Sequence, residues 1–297
     1  MKKVIVLMAT YNGEKYLDEQ LESIINQKNV ETEILVRDDG STDNTIDILK
    51  KYEKSGKINW YKGEHLNVAK GFMELVKKAP LGDYYAFCDQ DDVWLENKLN
   101  SAVSLLEKES NQIPLMYYSA TTLVDEKLRF ISEHIIHEKR SDMARFIFND
   151  MSGNTIVFNN ILRSYLMQND DLNITIHDKW TLQLCLALGG KCLGDKNSYI
   201  LYRQHGNNTI GMELSLKDKI KKFKRIVNCP NDIHLRFLNE KYKDNIVFPY
   251  SKILSKIKED EKMSFIDRCR IAFDKDINFS NSFFQLAYIL HVFKGNL

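Results

Sequence analysis

The sequence has few of the residues that break or cross-link a chain. Four prolines and 13 glycines in 297 residues exclude long low-complexity or disordered stretches. The five cysteines, Cys88, Cys185, Cys192, Cys229 and Cys269, are odd in number, scattered and never spaced Cys-x-x-Cys. That pattern gives neither a disulfide framework nor a zinc site, and it fits a reducing cytoplasm. Long apolar runs are absent too. Residues 4–8 follow Met1-Lys2-Lys3 but are too few for a signal-peptide core and precede no small-residue cleavage site. Residues 283–293, interrupted by Gln285 and His291, are too few to cross a bilayer as a helix. The expectation is a cytoplasmic protein with no transmembrane span.

Hydrophobic residues at 43% and aromatics at 11% suit a folded globular chain large enough for a sizeable core. The net charge of +1 is unevenly spread. Residues 214–297 carry about +7 and the remainder about −6, so the two parts face different partners. The charge shift places a soft boundary near residue 212, with an α/β unit over 1–212 and a basic helical region over 213–297.

Short β-like runs alternate with helical ones in the first half, the pattern of a parallel sheet covered by helices on both faces. Strands are predicted over 4–8, 33–36, 58–61 and 83–88, and helices over 16–25, 45–52 and 69–78, with Ser41-Thr42-Asp43 capping the second. After a helix over 96–108 the pattern is mixed. Strands are predicted over 115–119, 122–125, 154–158 and 198–202, and helices over 143–149 and 180–188. Ligands of open α/β sheets bind beyond the carboxyl ends of the strands. Thr10-Tyr11-Asn12, Asp38-Asp39 and Asp89-Gln90-Asp91-Asp92 all fall there.

Alternate residues Asp89 and Asp91 leave the fourth strand on one side, where hard carboxylate oxygens suit a divalent cation and a diphosphate; Asp92 adds further negative charge. An isolated Asp-x-Asp is more often a solvated turn. Asp-x-Asp-x-Val after an apolar strand also fits a phosphohydrolase, although such motifs normally follow the first strand. The missing glycine excludes an EF-hand loop.

Together, Ala9-Thr10-Tyr11-Asn12-Gly13, Val36-Arg37-Asp38-Asp39-Gly40-Ser41-Thr42-Asp43 and Phe87-Cys88-Asp89-Gln90-Asp91-Asp92-Val93-Trp94 resemble glycosyltransferase family 2 in order and spacing. The likeness covers roughly residues 1–211. It implies a GT-A, Rossmann-like mixed sheet flanked by helices, here with a helical C-terminal appendage, and an inverting transfer from a nucleoside-diphosphate sugar. By that resemblance Thr10, Tyr11 and Asn12 line the nucleoside pocket, and Asp39 accepts the imide N–H of uracil or thymine. Lys70 approaches the donor, as do Asp89, Gln90 and Asp91. Asp91 and His205, the latter in Tyr202-Arg203-Gln204-His205-Gly206-Asn207-Asn208-Thr209, hold Mn²⁺ or Mg²⁺. Asp178, in Ile176-His177-Asp178-Lys179-Trp180, is carried over as the base that deprotonates the acceptor. Many members have Glu-Asp or Asp-Glu where this chain has His177-Asp178, so His177 is a rival base and otherwise an acceptor contact. Gly153 and Asn154 occupy the place of an acceptor loop, and Trp180 is an aromatic face for a sugar.

Simpler readings stand beside several of these: a turn and helix cap for Asp38 to Ser41, a solvated lysine for Lys70, an N-cap for Asp178, core packing for Trp180. The Cys-Asp-Gln-Asp-Asp-Val-Trp form resembles the rhamnosyltransferase-like branch. It implies dTDP-rhamnose as the favoured donor, with a UDP-sugar, glucose or galactose, as the alternative. The expected setting is bacterial surface polysaccharide synthesis, and a lipid-linked saccharide acceptor is expected from the basic helix over 217–226. A phosphohydrolase built on Asp89 and Asp91 and a catalytically silent sugar-binding scaffold are the rivals.

Over 217–226 cations alternate with apolar residues, and Leu216, Ile220, Phe223 and Val227 recur at helical spacing. Such a helix can lie on the anionic inner face of the plasma membrane, each cation contributing about 1 kcal/mol. Alternatively it packs its apolar stripe on the catalytic unit. Residues 279–293 are a candidate homodimer contact. No base-reading module is present, so nucleic acid is not an expected partner.

Overall fold

A computed structural model describes residues 1–64, 66–136, 139–168, 174–205, 216–228, 233–256 and 263–295. The order is β1 (Lys3–Thr10), α1 (Leu17–Ile25), β2 (Glu31–Asp38), α2 (Thr45–Lys54), β3 (Ile58–Lys62), α3 (Val68–Lys78) and β4 (Tyr84–Cys88). There follow β5 (Val93–Trp94), α4 (Lys98–Leu106), β6 (Leu115–Val124), β7 (Phe130–His134), α5 (Asp142–Ile147), a 3-10 turn (Gly153–Thr155), β8 (Val157–Asn159), α6 (Asn160–Leu166), α7 (His177–Ala187) and β9 (Lys191–Arg203). Five helices complete the described chain: α8 (Leu216–Val227), α9 (Ile233–Tyr242), α10 (Tyr250–Leu254), α11 (Phe265–Ala272) and α12 (Ser282–Lys294).

The strands form one mixed sheet in the order β3-β2-β1-β4-β8-β6-β9-β5, with β7 alongside β6. β1 to β4 run parallel; β8 is antiparallel to both β4 and β6, and β9 is parallel to β6. Val4 to Met8 of β1 are fully buried because helices cover both faces of the sheet. Val4, Val6 and Met8 join one hydrophobic cluster, and Ile5 and Leu7 join the other.

The register aligns Thr10 with Asp38, and Met8 with Cys88. The polar segments after β1, β2 and β4 therefore leave the sheet side by side.

Several elements differ from the periodicity reading. The strands expected over 115–119 and 122–125 are one continuous strand. Buried Ser119 and Thr121 interrupt its hydrophobic run, and its register against β9 shifts between Ser119 and Thr122, while the strand itself continues. The strand expected over 154–158 starts as the 3-10 turn and becomes β8 only at Val157. β5 is two residues long, and β7 is exposed on both faces, so neither carries a readable apolar period.

The boundary expected near residue 212 lies outside the described residues. The larger hydrophobic cluster joins Phe72, Phe87, Phe158 and Trp180 to Leu238, Leu254, Ile271, Phe279 and Tyr288. The C-terminal helices thus share the core under the sheet.

Candidate active site

At the ends of β1 and β2 nearly every polar group has a partner. Asp38 is fully buried; its Oδ1 accepts from the Gly40 and Ser41 backbone N–H (3.0 and 2.9 Å), and its Oδ2 from the Ser41 and Thr10 hydroxyls (2.5 and 3.1 Å). Thr10, expected in the nucleoside pocket, is instead buried and turned inward onto Asp38. Asn12 has a left-handed φ of 49°. Its Oδ1 accepts from the Thr42 N–H at 2.8 Å, and its own N–H donates to Ser41 Oγ at 2.9 Å. Tyr11 is exposed at the rim.

Asp39 is close to buried, and Arg37 grips it from the core. Lys70 is exposed on the first turn of α3, where its backbone N–H donates to the N-cap Asn67.

Gln90 does something other than reach for a donor. Its Oε1 accepts from the Tyr11 N–H (2.9 Å), and its Nε2 donates to the Tyr11 carbonyl (3.0 Å). The amide therefore clips the β1 loop to the acidic segment. Gly13 makes room for it, since a Cβ there would lie 2.3 Å from Gln90 Oε1.

Asp91 Oδ2 lies 2.9 Å from His205 Nε2, and the imidazole stacks on Tyr16 with ring centroids 5.2 Å apart. Residues 206–209, read with His205 as one segment, lie outside the described residues. Two ligands at octahedral bond lengths of about 2.1 Å, set at right angles, are about 3 Å apart. The Asp91–His205 spacing therefore fits two adjacent positions on one cation. Among the described residues no group of three or more His, Cys, Asp or Glu side chains could hold a metal. The donor set is one carboxylate and one imidazole, and the remaining positions would go to diphosphate oxygens and water.

Asp92 turns away from this centre. It is buried, accepts from Asn154 Nδ2 at 2.5 Å and from the Arg203 N–H at 3.2 Å, and has its carboxyl raised by burial and by Asp91 and Asp89. It ties the 3-10 turn to β9 and is not a contributor to an exposed charge cluster. Asn154, expected beside the acceptor, is consequently buried. Trp180 is fully buried too, with its ring against His234 and Phe237. It is a core residue and offers no face to a sugar.

Burial, assisted by the charges of Asp91 and Asp178, pushes the Asp89 carboxyl up to about 7. Asp178, on the first turn of α7, is raised to about 6 by burial, which outweighs the Lys179 N–H donating to it at 2.6 Å. These carboxylates are close enough to feel one another. His177 stacks on Phe72 at 4.2 Å and meets the edge of Phe87 at 4.9 Å, and burial lowers it to about 3. An imidazole that resists protonation so strongly is a poor proton acceptor, which favours Asp178 as the base. Gly153 lets the pair approach: a Cβ would lie 2.9 Å from His177 Nε2 and 3.4 Å from Asp178 Cβ.

Two supporting residues escaped the sequence reading. Arg203 is buried at the end of β9. It donates from Nε to the Asp91 carbonyl (2.9 Å), from Nη1 to the Glu126 carbonyl (2.7 Å) and from Nη2 to Glu19 (2.5 Å). Its guanidinium lies over Tyr16, so one side chain supports both Asp91 and the ring under His205. Arg37 plays the matching part at Asp39. In the sequence only the place of Arg37 beside Asp38-Asp39, and of Arg203 two residues before His205, signals either.

A family profile described as Glycosyl transferase family 2 matches residues 5–167, more than half of the chain. The chain belongs to glycosyltransferase family 2. Within this family it is 30% identical over 239 residues to a dTDP-rhamnosyl transferase, RfbG, of Shigella flexneri, covering 74% of this chain and 79% of the relative. It is 33% identical over 114 residues to the Escherichia coli UDP-Glc:alpha-D-GlcNAc-diphosphoundecaprenol beta-1,3-glucosyltransferase WfgD, covering 38% of this chain and 44% of that one. Among solved structures, Staphylococcus aureus TarS 1-349 in complex with UDP-GlcNAc superposes with a TM-score of 0.55 at 20% identity, over 81% of this chain and 73% of that one. The Pyrobaculum calidifontis mannosyltransferase PcManGT, solved with GDP-Man and Mn²⁺, gives a TM-score of 0.57 at 13% identity over 99% and 74%. These structural likenesses bear on the fold alone. This family 2 enzyme has the GT-A fold with a helical C-terminal region.

Proposed function

We propose that this family 2 glycosyltransferase is a cation-dependent, inverting enzyme that moves a sugar from a dTDP- or UDP-activated donor, rhamnose favoured, to a lipid-linked saccharide. The observation that carries the reading is the meeting of Asp89, Asp91 and Asp178 at one end of the sheet, where Asp178 raises Asp89. A buried carboxyl raised by two acidic neighbours suits a site completed by a cation and a polar substrate. The rhamnose preference rests on the relative named a dTDP-rhamnosyl transferase, and the lipid-linked acceptor on the relative named for a diphosphoundecaprenol substrate.

A bound divalent cation would supply positive charge to the departing nucleoside diphosphate. This chain's residues do the rest. Asp91 and His205 would hold the ion, and Asp39 would accept the imide N–H of the base. Tyr11 and Asn12 border the nucleoside. Asp178, ionised above about pH 6, would take the acceptor hydroxyl's proton as that oxygen attacks the anomeric carbon. Gly153 and His177 shape the wall beside Asp178 on the acceptor side.

The test is release of dTDP from dTDP-rhamnose, or UDP from UDP-glucose or UDP-galactose, with and without Mn²⁺ or Mg²⁺. The reading expects release that chelator stops. Hydrolysis of simple phosphate monoesters would favour a phosphohydrolase, and no turnover of any donor would favour a silent scaffold.

The same reading assigns residues 1–212 to catalysis and 213–297 to docking at the cytoplasmic face of an anionic membrane. Among the described residues no helix is long and apolar enough to cross a bilayer. Phe283, Leu286 and Leu290 make an exposed stripe on α12. Phe223 of α8 touches Phe283, which sets exposed Ile220, Lys221 and Lys224 beside that stripe. The side chains of residues 216–219, 222 and 225 lie outside the description. Flotation with anionic but not neutral liposomes supports docking, whereas equal partitioning contradicts it; a homodimer through α12 would show as a doubled mass without lipid.

A further inference from the structure

We infer that Arg37 is a positioning residue for base recognition, its buried guanidinium aiming the Asp39 carboxylate and so setting the preference for a uracil-type base over cytosine. The inference rests on the reading of Asp39 as the base contact.

Arg37 is the penultimate residue of β2 and Asp39 the first beyond it, two apart, and their side chains meet on one side. Arginine is seldom buried completely, yet Arg37 has no exposed surface. Each arm of its fork has a partner. Nη1 pairs with Asp39 Oδ1, Nε donates to Glu74 Oε2 at 3.0 Å, and Nη2 donates to the Glu64 carbonyl at 2.6 Å.

The cradle is cut to the guanidinium on two sides by glycine. A Cβ on Gly63 would lie 2.5 Å from three of its atoms; one on Gly71 would lie 3.1 Å from Nη1 and 3.7 Å from Asp39 Oδ2. Glu74 anchors the far side. Burial alone would raise its carboxyl, but hydrogen bonds from Lys78 and Arg37 outweigh burial and hold it below the usual range. The chain Lys78, Glu74, Arg37, Asp39 therefore alternates in charge, running from the surface in to buried Arg37 and out again to Asp39.

A carboxylate only accepts hydrogen bonds. It suits the N3–H of uracil or thymine and repels the lone pair on N3 of cytosine. That discrimination needs the carboxylate held in one orientation, because a loose one can turn away from the wrong base. A planar guanidinium, itself fixed by Glu74 and the Glu64 carbonyl, supplies this hold through its Nη1 contact with Oδ1, and a lysine ammonium, with no fixed fork, does so less well.

Affinities for UDP and CDP, which differ only in the base, provide the test, together with donor KM and kcat, in Arg37→Met, Arg37→Lys and Asp39→Asn. Arg37→Met is expected to cut the preference for UDP by about tenfold or more, as for loss of a hydrogen bond to a charged group. Donor KM should rise more than kcat falls. Arg37→Lys should restore part of the preference, and the Arg37→Met/Asp39→Asn double variant should lose little beyond Asp39→Asn alone.

Preference lost in Asp39→Asn but kept in Arg37→Met would overturn the role of Arg37 while sparing the base contact. Preference kept in Asp39→Asn would remove the base contact and this inference with it. Should Arg37→Met fail to fold, Gly63→Ala decides: its added methyl would lie 2.5 Å from the guanidinium and displaces it with the charge retained, and an unchanged UDP preference would overturn the inference.

Discussion

The two polar corners of the sheet handle carboxylates in opposite ways. At the β1–β2 corner each acid is matched from within the chain: Asp38 accepts four hydrogen bonds and Asp39 faces a buried arginine. At the β4–α7 corner Asp89 is raised by burial and by its acidic neighbours, and Asp178 by burial. Arg203 donates to the backbone carbonyl of Asp91. One corner has its carboxylates matched within the chain, in keeping with the recognition role proposed for Asp39. The other holds carboxyls raised by burial, in keeping with the cation and proton roles proposed there.

Substitutions should separate the corners. The largest effect is expected at the reaction corner, where Asp178→Asn should lower turnover about 10²- to 10⁴-fold, the usual worth of a general base, with the melting temperature preserved or raised. His205→Ala should come next: removal of one of two protein ligands should raise the Mn²⁺ concentration for half-maximal activity about tenfold or more, measured by cation titration. An unchanged cation requirement would take His205 out of the ion's shell.

Asp89→Asn gives a smaller effect, a gain in stability. The folded-state value of Asp89 lies above that of an exposed carboxyl, so ionisation disfavours the fold. That penalty is absent in acid, grows as pH rises from about 4 and is complete above about 7. The variant should therefore melt higher than the parent, by a wider margin at pH 8 than at pH 4.5. An equal margin at both would mean that Asp89 is not held in an unfavourable state.

The smallest effect is expected at the matched corner. Gly13→Ala would force Gln90 away from Tyr11 and should cost about 1–3 kcal/mol in urea unfolding, an ordinary overpacking penalty.

How much of this was legible in the sequence follows from range. The parallel half of the sheet and its three polar segments were readable because each is a short apolar run ending in polar residues. What depends on distant packing was not. Trp180 and Asn154 carry the right chemistry for a sugar site, but α9 covers one and Asp92 claims the other. Thr10 and Gln90 lie in the right segments yet serve the loops around the site and not its contents. Arg37 and Arg203 were passed over because cations in a sequence read as surface. Here each is buried against partners far along the chain, Glu74 for one and Glu19 for the other.

Asp178, a carboxyl raised by burial, is the proposed base on which the reaction depends. The pH dependence of kcat/KM for sugar transfer, in the parent and in Asp178→Asn, tests it most directly. The parent should lose activity on the acid side through about pH 6, and the variant should keep only a residual rate without that limb. Near-parental turnover in Asp178→Asn, with the same acid limb, would contradict the account.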